Sequence, residues 1–445
     1  MWREKIKQTL RLRPGERKIV LPFAILLAIN AMAMEIGAVV SVSGFLSEVG
    51  TPQLLLVWVV DMALIIFIGS LQSIVIDKIS RQRFMQILIG GLGLAYLLIR
   101  LLFWLEAPVG LNYALIYLLA DQQLLFFPLI FWLLANDNVA TAQAKRLFPL
   151  IAIGGLLGQV VGLLIAGTTA RLFEQYNIPT IDLLFFNVAA YVIAFVLLTR
   201  MKLTSQQAAQ KVESIRETIS EGWAFVREVP SFRYLMLAMI AVGLALTVIE
   251  FHFFVVSNAT FVTQIAFQFF YSFYRLSIIA LSIGTQSLLT SRLLERLGLP
   301  RIFYVVPAAL VAGLAGMLLV PGVVMTAVGR ALVRLPFGTL DEAGRKSFQS
   351  LVPESRRGRV SMFMDTYLYA SGTIVGALVM YGVLWVAPYW SLVASYFYLA
   401  FGATAALFAL WSIWRMSSVY QASLLNWRLK RQRQKQGGVL DKLDF

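Results

Sequence analysis

The sequence contains no cysteine, a single histidine and few charged residues for its 445 residues. The absence of cysteine excludes disulfides and thiolate–metal sites, and one histidine, His252, argues against a histidine-based metal site. Charged residues make up 14% of the chain, against about 25% in a typical soluble domain, whereas 59% of residues are hydrophobic and the mean hydropathy is +0.77. The composition therefore excludes a disordered chain and predicts a protein that crosses a membrane several times.

Residue sets that would indicate an enzyme are also missing. We find no Ser/His/Asp set, no cluster of metal ligands and no glycine loop that could cradle a phosphate. The glycines at 90–93 and 154–158 lie in apolar runs, where close helix packing explains them. We therefore expect neither an enzyme nor a bound cofactor or metal.

Apolar runs long enough to cross a bilayer occur twelve times, since one crossing takes about 20 apolar residues. They form two sets of six, near 19–45, 54–76, 84–105, 111–135, 147–169, 181–199, and then 232–256, 265–290, 302–320, 322–340, 360–386 and 390–414. The predicted fold class is an all-α membrane protein with two six-helix halves. The predicted domains are an N-terminal half 1–200, a cytoplasmic amphipathic linker 201–231 that lies on the membrane surface, a C-terminal half 232–415 and a basic tail 416–445.

The basic residues are distributed very unevenly between the connections. The chain has 38 Lys and Arg against 23 Asp and Glu, a net charge of +15, and nearly all basic residues lie in the two termini and the connections after even-numbered runs. Arg171 is the one basic residue in the opposite connections. By the positive-inside rule, both termini are cytoplasmic, and the tail at 428–435 is expected to attract anionic lipids rather than nucleic acid.

An internal repeat relates the two halves. The second run is followed by Asp-Lys-Ile-Ser-Arg-Gln-Arg at 77–83, and the eighth run is followed by Glu-Arg-Leu-Gly-Leu-Pro-Arg at 295–301. The two segments are 218 residues apart. The same offset aligns Gly154 with Gly372 and Gly158 with Gly376. This charged loop resembles the cytoplasmic loop motif of the major facilitator superfamily. The resemblance implies a charge clamp made by Asp77, Lys78, Arg81, Glu295, Arg296 and Arg301.

Ionisable residues inside the apolar runs are the main functional signal, because each costs about 2.5–3.5 kcal/mol on insertion. They include Asp61 and Asp365, and the deepest are Glu35, Glu250, Arg275, Arg330 and Arg334. We expect the central ones to face a water-filled cavity, although buried ion pairs that only lock helices are the alternative. Arg330 and Arg334 share a helix face and predict an anionic substrate, but Asp365 or Glu250 would satisfy them equally well.

Two segments near the fourth and fifth runs carry a more specific resemblance. Residues 131–137 read Phe-Trp-Leu-Leu-Ala-Asn-Asp and residues 144–150 read Ala-Lys-Arg-Leu-Phe-Pro-Leu. Together with Val-Ile-Glu at 248–250 and Leu-Asp-Glu-Ala-Gly-Arg at 340–345, they resemble the non-mitochondrial ATP/ADP carrier family, within the major facilitator superfamily. Taken together, this resemblance and the charges inside the apolar runs give the candidate substrate contacts Asn136, Asp137, Lys145, Arg146, Glu250, Arg275, Arg330, Arg334, Asp341 and Arg345.

One departure from that family concerns the first run. Where the nucleotide exchangers have an Arg-Asp-x-x-Lys cluster, this chain reads Met-Glu-Ile-Gly-Ala-Val at 34–39 and has lost two cations. A nucleoside triphosphate brings about four negative charges, and the loss of two cations leaves fewer charges to bind it. We therefore expect a different anionic or amphiphilic substrate as readily as a nucleotide.

Three functional hypotheses follow. The first is a monomeric secondary transporter in a bacterial inner membrane, working by alternating access and exchanging nucleotides of the ATP/ADP type or a related small organic anion. The second is a proton-coupled carrier of another solute, in which buried acids titrate; the candidates for coupling or gating are Glu35, Asp61, Glu250 and Asp365. The third is a membrane scaffold that has kept the fold without transport.

Overall fold

The computed structural model describes residues 16–76, 79–201, 203, 215–349, 351–352, 354–390 and 393–440. In the first part of the chain the α-helices are α1 (Arg17–Glu48), α2 (Thr51–Ile76), α3 (Arg81–Trp104), α4 (Val109–Asn138), α5 (Thr141–Gln175) and α6 (Leu184–Arg200). The linker forms α7 (Ile215–Glu228). The later helices are α8 (Pro230–Thr260), α9 (Gln264–Thr285), α10 (Ser291–Leu297), α11 (Leu299–Ile302), α12 (Val305–Leu319), α13 (Val323–Pro336), α14 (Glu342–Gln349), α15 (Glu354–Met362), α16 (Tyr369–Val386) and α17 (Ala394–Leu440).

Short irregular helices join some of these elements. Three π-helical segments, Gln286–Thr290, Phe337–Asp341 and Phe363–Leu368, continue α9, α13 and α15 without a break, and two 3₁₀ turns, Thr180–Leu183 and Ala387–Trp390, lie beside α6 and α16. A π-turn inserts one extra residue and so rotates the helix face that follows it.

Among the described residues, eleven helices are long and apolar enough to span a membrane. A shorter apolar helix, Thr51–Phe67, lies in α2. This agrees with the twelve predicted spans and with an all-α, multi-pass membrane protein. The two runs separated by only two residues are distinct helices, because Gly322 between them has a φ of +136°, which side-chain-bearing residues rarely adopt.

The chain divides into two compact units, each made of more than one stretch of the sequence. Unit 1 comprises Met1–Val57, Phe67–Val212 and Ser257–Ile279, and unit 2 comprises Trp58–Ile66, Glu213–Val256 and Ala280–Phe445. Part of α2 therefore belongs with unit 2, and part of α9 belongs with unit 1.

In unit 1, α1 packs on α4, α5 and α6. In unit 2, α12 packs on α13 and α17.

Glycines permit the closest helix contact within each unit. On α5, Gly154 and Gly158 lie directly over the carbonyl oxygens of Ala24 and Ala28 in α1, so that an added Cβ would overlap them. In unit 2 the equivalent glycines of the repeat, at 372 and 376 on α16, lie against the backbone of α8 at 240 and 244. The repeat read from the sequence therefore reappears as the same backbone-to-backbone packing in both units.

The linker helix α7 packs into unit 2. Its inner face places Phe225 and Val226 in the hydrophobic cluster of that unit, and Gly222 lies against the ring of Phe363. Arg359 on α15 binds Glu221 at 2.8 Å. The opposite face, with Trp223, is exposed. Helix α7 is thus amphipathic, and its apolar face is buried against protein.

The glycine contact between α1 and α5 can be tested by substitution. We expect Gly158→Leu to destabilise the protein by about 3 kcal/mol or more, because the added side chain would force two helix backbones apart. The apparent melting temperature in detergent would measure this. Gly91→Leu is the matched control, since nothing lies within 4 Å of a Cβ at Gly91. Equal melting temperatures for the two variants would contradict the packing described here.

Candidate functional site

The centre of the candidate site is one carboxylate shared by two guanidinium groups in unit 2. Arg330 donates from Nε to Oε2 of Glu250 at 2.7 Å, and Arg334 donates from Nε to Oε1 at 2.5 Å. The side chains of Arg330 and Glu250 are 8% and 11% exposed, whereas that of Arg334 is 41% exposed. We call these three residues the arginine triad. Its charges are fixed in place by hydrogen bonds but remain reachable on the Arg334 side.

Two helices create the arginine triad. The arginines are one turn apart on α13 and project from one face, and Glu250 comes from the middle of α8. Arg330 also lies over the ring of Phe253, with its Cζ 4.3 Å from the ring centroid. Of the two acids that the sequence left as possible partners, Glu250 and Asp365, Glu250 forms these bonds.

A second charge cluster surrounds Asp365. Arg345 donates to Asp341 at 2.7 Å and also binds Asp365, and Lys346 binds the other carboxylate oxygen of Asp365 at 2.7 Å. Asp341 ends one π-helical segment, and Asp365 lies within another. We call Asp341, Arg345, Lys346 and Asp365 the aspartate cluster. Asp341 and Arg345, predicted as substrate contacts, are thus bonded in this cluster and not in the arginine triad.

A third group of paired charges lies in unit 1. Arg275 of α9 reaches Oε2 of Glu35 in α1 at 2.9 Å, and Glu35 is only 2% exposed. Along the same face of α9, Gln268 donates to the carbonyl of Ala166 at 2.9 Å and accepts from Ser43 at 3.2 Å. Arg275 therefore lies with Glu35 and not in the arginine triad. Gln268 and Ser43 were missed by sequence reasoning, because nothing in a sequence distinguishes a polar residue that bonds across helices from one that does not.

The remaining predicted residues of unit 1 lie where α3, α4 and α5 begin or end. Arg81 binds Asp137, and Arg146 binds Glu16. Lys145 is exposed, and Asn136 is exposed with its amide bonded to its own helix at the carbonyl of Trp132. Asp137 and Arg146 are therefore engaged in ion pairs that hold helix ends together.

The predicted charge clamp is described in part. Asp77 and Lys78 lie outside the described residues, whereas Arg81 is bonded to Asp137 as above. In the second copy of the motif, Glu295, Arg296 and Arg301 are exposed. Asp61, a predicted coupling residue on α2, is 1% exposed and belongs to unit 2.

Aromatic residues beside the arginine triad were also missed from the sequence. The ring of Phe254 lies 5.8 Å from Cζ of Arg330 and 6.1 Å from the ring of Trp58. Trp58 is buried, and its indole N–H has no hydrogen-bond partner among the described residues. In a chain that is 13% aromatic, no sequence signal separates these rings from ordinary core residues.

Comparison with solved structures shows the fold. The nucleoside transporter NupG has a TM-score of 0.68 at 14% identity, over 89% of this chain and 98% of its own. An auto-inhibited peptide transporter of the POT family has a TM-score of 0.63 at 15% identity, over 88% and 95%. A bacterial homologue of the iron transporter ferroportin, in an inward-facing state, has a TM-score of 0.62 at 14% identity, over 92% and 100%. The chain thus has the fold of major-facilitator-type transporters.

No family model matches the sequence, and no curated protein matches it. At these low identities the structural likeness establishes the fold and leaves the substrate open.

The Glu35–Arg275 pair can be tested by removing one partner. We expect Arg275→Gln to destabilise the protein by roughly 3 kcal/mol, because it leaves a buried carboxylate without its cation. Adding Glu35→Gln to the same chain should restore most of that loss, since no charge is then stranded. Thermal unfolding in detergent measures both. If the double variant were as unstable as the sum of the single variants, the pair would not be coupled.

Proposed function

We propose that the protein is a secondary active transporter that moves a small organic anion by alternating access. The observation that supports this most directly is the arginine triad: two guanidinium groups, one of them substantially exposed, held on one carboxylate inside membrane-spanning helices. Guanidinium groups suit carboxylate and phosphate oxygens through their planar fork. Charges at such depth are costly, so they indicate a functional role. The shared fold with solved transporters supports the same conclusion.

Within this proposal, Arg330 and Arg334 bind the anion, and Glu250 acts as a gate by forming and releasing its bonds to them. Lys145 and Asn136, both exposed, attract and contact the anion at the mouth. Asp137, Arg146 and Arg275 hold helices of unit 1 together. Asp341 and Arg345 act through the aspartate cluster. Asp365 in that cluster couples helix movement to binding of the anion. Asp61 is a further coupling candidate.

The finer substrate hypothesis is nucleotide exchange. It rests on the resemblance of residues 131–150 and 248–250 to the non-mitochondrial ATP/ADP carriers, and a nucleoside transporter is among the solved structures with this fold. Antiport of ATP and ADP, nucleotide binding and membership of that family are therefore part of the proposal. The loss of two cations from the first helix weighs against a triphosphate.

The proposed setting follows from the charge distribution. We place both termini and the basic connections on the cytoplasmic side of a bacterial inner membrane, in contact with anionic lipids and without a nucleic-acid partner. We propose that the protein works as a monomer. Arg81, with the charged loop before it and Glu295, Arg296 and Arg301 in the second copy, would clamp the helix ends on that side. The domains proposed are 1–200, 201–231, 232–415 and 416–445.

Transport can be tested directly with purified protein in proteoliposomes. We expect uptake of labelled organic anions, with ATP, ADP and AMP included, to fall about tenfold or more in Arg334→Gln, because a charge-assisted hydrogen bond contributes about 1.5–3 kcal/mol. Arg227→Gln, an exposed substitution on α7, is the control and should keep wild-type uptake. Absence of uptake of every anion by correctly oriented wild-type protein would refute the proposal.

A second candidate function is proton-coupled transport of another solute. The observation that favours it is Glu35, an almost fully buried carboxylate whose cation Arg275 comes from a different part of the chain. Proton transfer to Glu35 would release Arg275 and so couple a proton to helix movement.

The proton-coupled version predicts that an imposed pH gradient drives uptake in the wild type. In Glu35→Gln the gradient should have no effect, although exchange without a gradient persists, because the substituted amide cannot release a proton. Radiolabel uptake with and without a gradient, at equal membrane potential, measures this. Wild-type uptake that is indifferent to the gradient would exclude this function and leave the exchanger.

A further inference from the structure

Asp121 of α4 is an acid inside a membrane-spanning helix, outside the arginine triad, the aspartate cluster and the pair of Glu35 and Arg275. At a rise of about 1.5 Å per residue, it lies about 18 Å from the start of α4 and about 25 Å from its end. Half of a hydrocarbon core is about 15 Å, so its short side chain cannot reach either membrane surface. A charge at that depth costs about 2.5–3.5 kcal/mol on insertion scales and so calls for a functional reason.

The surroundings of Asp121 provide no counter-charge. Whereas Glu35 and Glu250 bind arginines, Asp121 has no hydrogen bond or ion pair among the described residues. Its neighbours one turn away on α4 are Tyr117 and two leucines, at 118 and 125. Its own helix therefore offers it no positive charge.

Helices α1 and α3, which pack on α4 beside Asp121, do not provide one either. Their titratable groups at this level each have another partner: Glu35 binds Arg275, Arg100 binds Asp182, and Tyr96 donates to Gln123 at 3.2 Å. None of them bonds to Asp121. A positive charge that offsets this carboxylate has to come from solution.

Asp121 lies on the face of α4 that the rest of unit 1 leaves open. The opposite face is packed in the core, where Phe127 is fully buried. Helical spacing places Asp121 on one face with Leu125, Trp132 and Asn136, all of them partly or largely exposed. Ionisable residues in spanning helices face the bundle interior or water and not lipid. This face of α4 therefore lines a water-filled path, and Asn136, the residue proposed at its mouth, lies on the same stripe.

A lone carboxylate between leucines suits a proton and not a metal ion. Metal ions that bind oxygen, such as Ca²⁺ and Mg²⁺, take about six ligands at once, and the leucines supply none. A proton needs only the carboxylate itself. Its uptake by Asp121 breaks no existing bond, whereas Glu35 has to lose Arg275 when it is protonated.

We propose that Asp121 is a proton-binding site, a carboxylic acid that takes up and releases one proton through the water-filled path along α4. The inference rests on the proposed transport function in its proton-coupled form, and it assigns the first uptake of the transported proton to Asp121, ahead of Glu35. Uptake forms one O–H bond and cancels one negative charge. The neutral acid can then be enclosed when the path closes, and it returns the proton to water when the path opens on the other side.

The proton itself is the probe, and dicyclohexylcarbodiimide reports where it is bound, because this apolar reagent reacts with protonated carboxyl groups. Purified full-length protein in detergent is treated over a range of pH, and the modified peptides are quantified by mass spectrometry. We expect Asp121 to be labelled and its labelling to fall as the pH rises. Glu174, an exposed acid of α5, is the internal control and should stay unlabelled. Labelling of Asp121 no greater than that of Glu174, or labelling that does not change with pH, would overturn the proposal.

The role in transport is tested in proteoliposomes with labelled ATP, ADP and AMP and an imposed pH gradient. Asp121→Asn resembles the neutral acid in shape, so it should fold with the wild-type melting temperature, lose the stimulation by the gradient and keep exchange without a gradient. Asp121→Glu restores a carboxylate and should regain the stimulation. Glu174→Gln is the matched control and should behave as wild type does.

The two proposals fail in different ways. Labelling of Asp121 that falls with rising pH, with no transport of any anion, would support the proton site and overturn the transporter. Anion transport that ignores the gradient in the wild type, or that responds to it equally in folded Asp121→Asn, would overturn the proton site and leave the transporter.

Discussion

Charges placed in membrane-spanning helices need partners of opposite charge there. In each unit of this protein, a buried acid on a central helix binds arginine. Glu35 on α1 binds Arg275, and Glu250 on α8 binds Arg330 and Arg334. Both acids lie on helices whose backbones are approached directly by glycines, of α5 in one unit and α16 in the other. The same helices thus support the closest packing and the deepest charge.

The two acids nevertheless do different things. Glu35 has one arginine and is almost inaccessible, so its pair is neutral and suited to holding helices or exchanging a proton. Glu250 binds two arginines, one of which, Arg334, is partly exposed and can reach a ligand. A duplicated scaffold has therefore acquired an asymmetric arrangement of charges. This asymmetry is what connects the fold to the proposed transport of an anion.

Much of the fold could be predicted from the sequence. The spans near 302–320 and 322–340 were separated correctly because Pro321-Gly322 interrupts the apolar pattern, and Gly154 and Gly158 predicted close packing because glycine permits it. The candidate site was predictable only as a set of residues. That Arg330 and Arg334 share a face follows from their spacing, but the choice of Glu250 over Asp365 does not, because both acids lie far from them in the sequence.

The sequence alone predicted twelve apolar helices, their approximate positions, and that Glu35, Glu250, Arg330 and Arg334 lie within them, since hydropathy and helical period depend on local residue order. Only the tertiary structure decided which charges bond together. It also decided that Asp341 and Arg345 join Asp365 across two π-turns, that Trp58 is packed with Phe254, and that part of α9 lies in unit 1. Pairing of this kind depends on helix rotation and register, which no local pattern specifies.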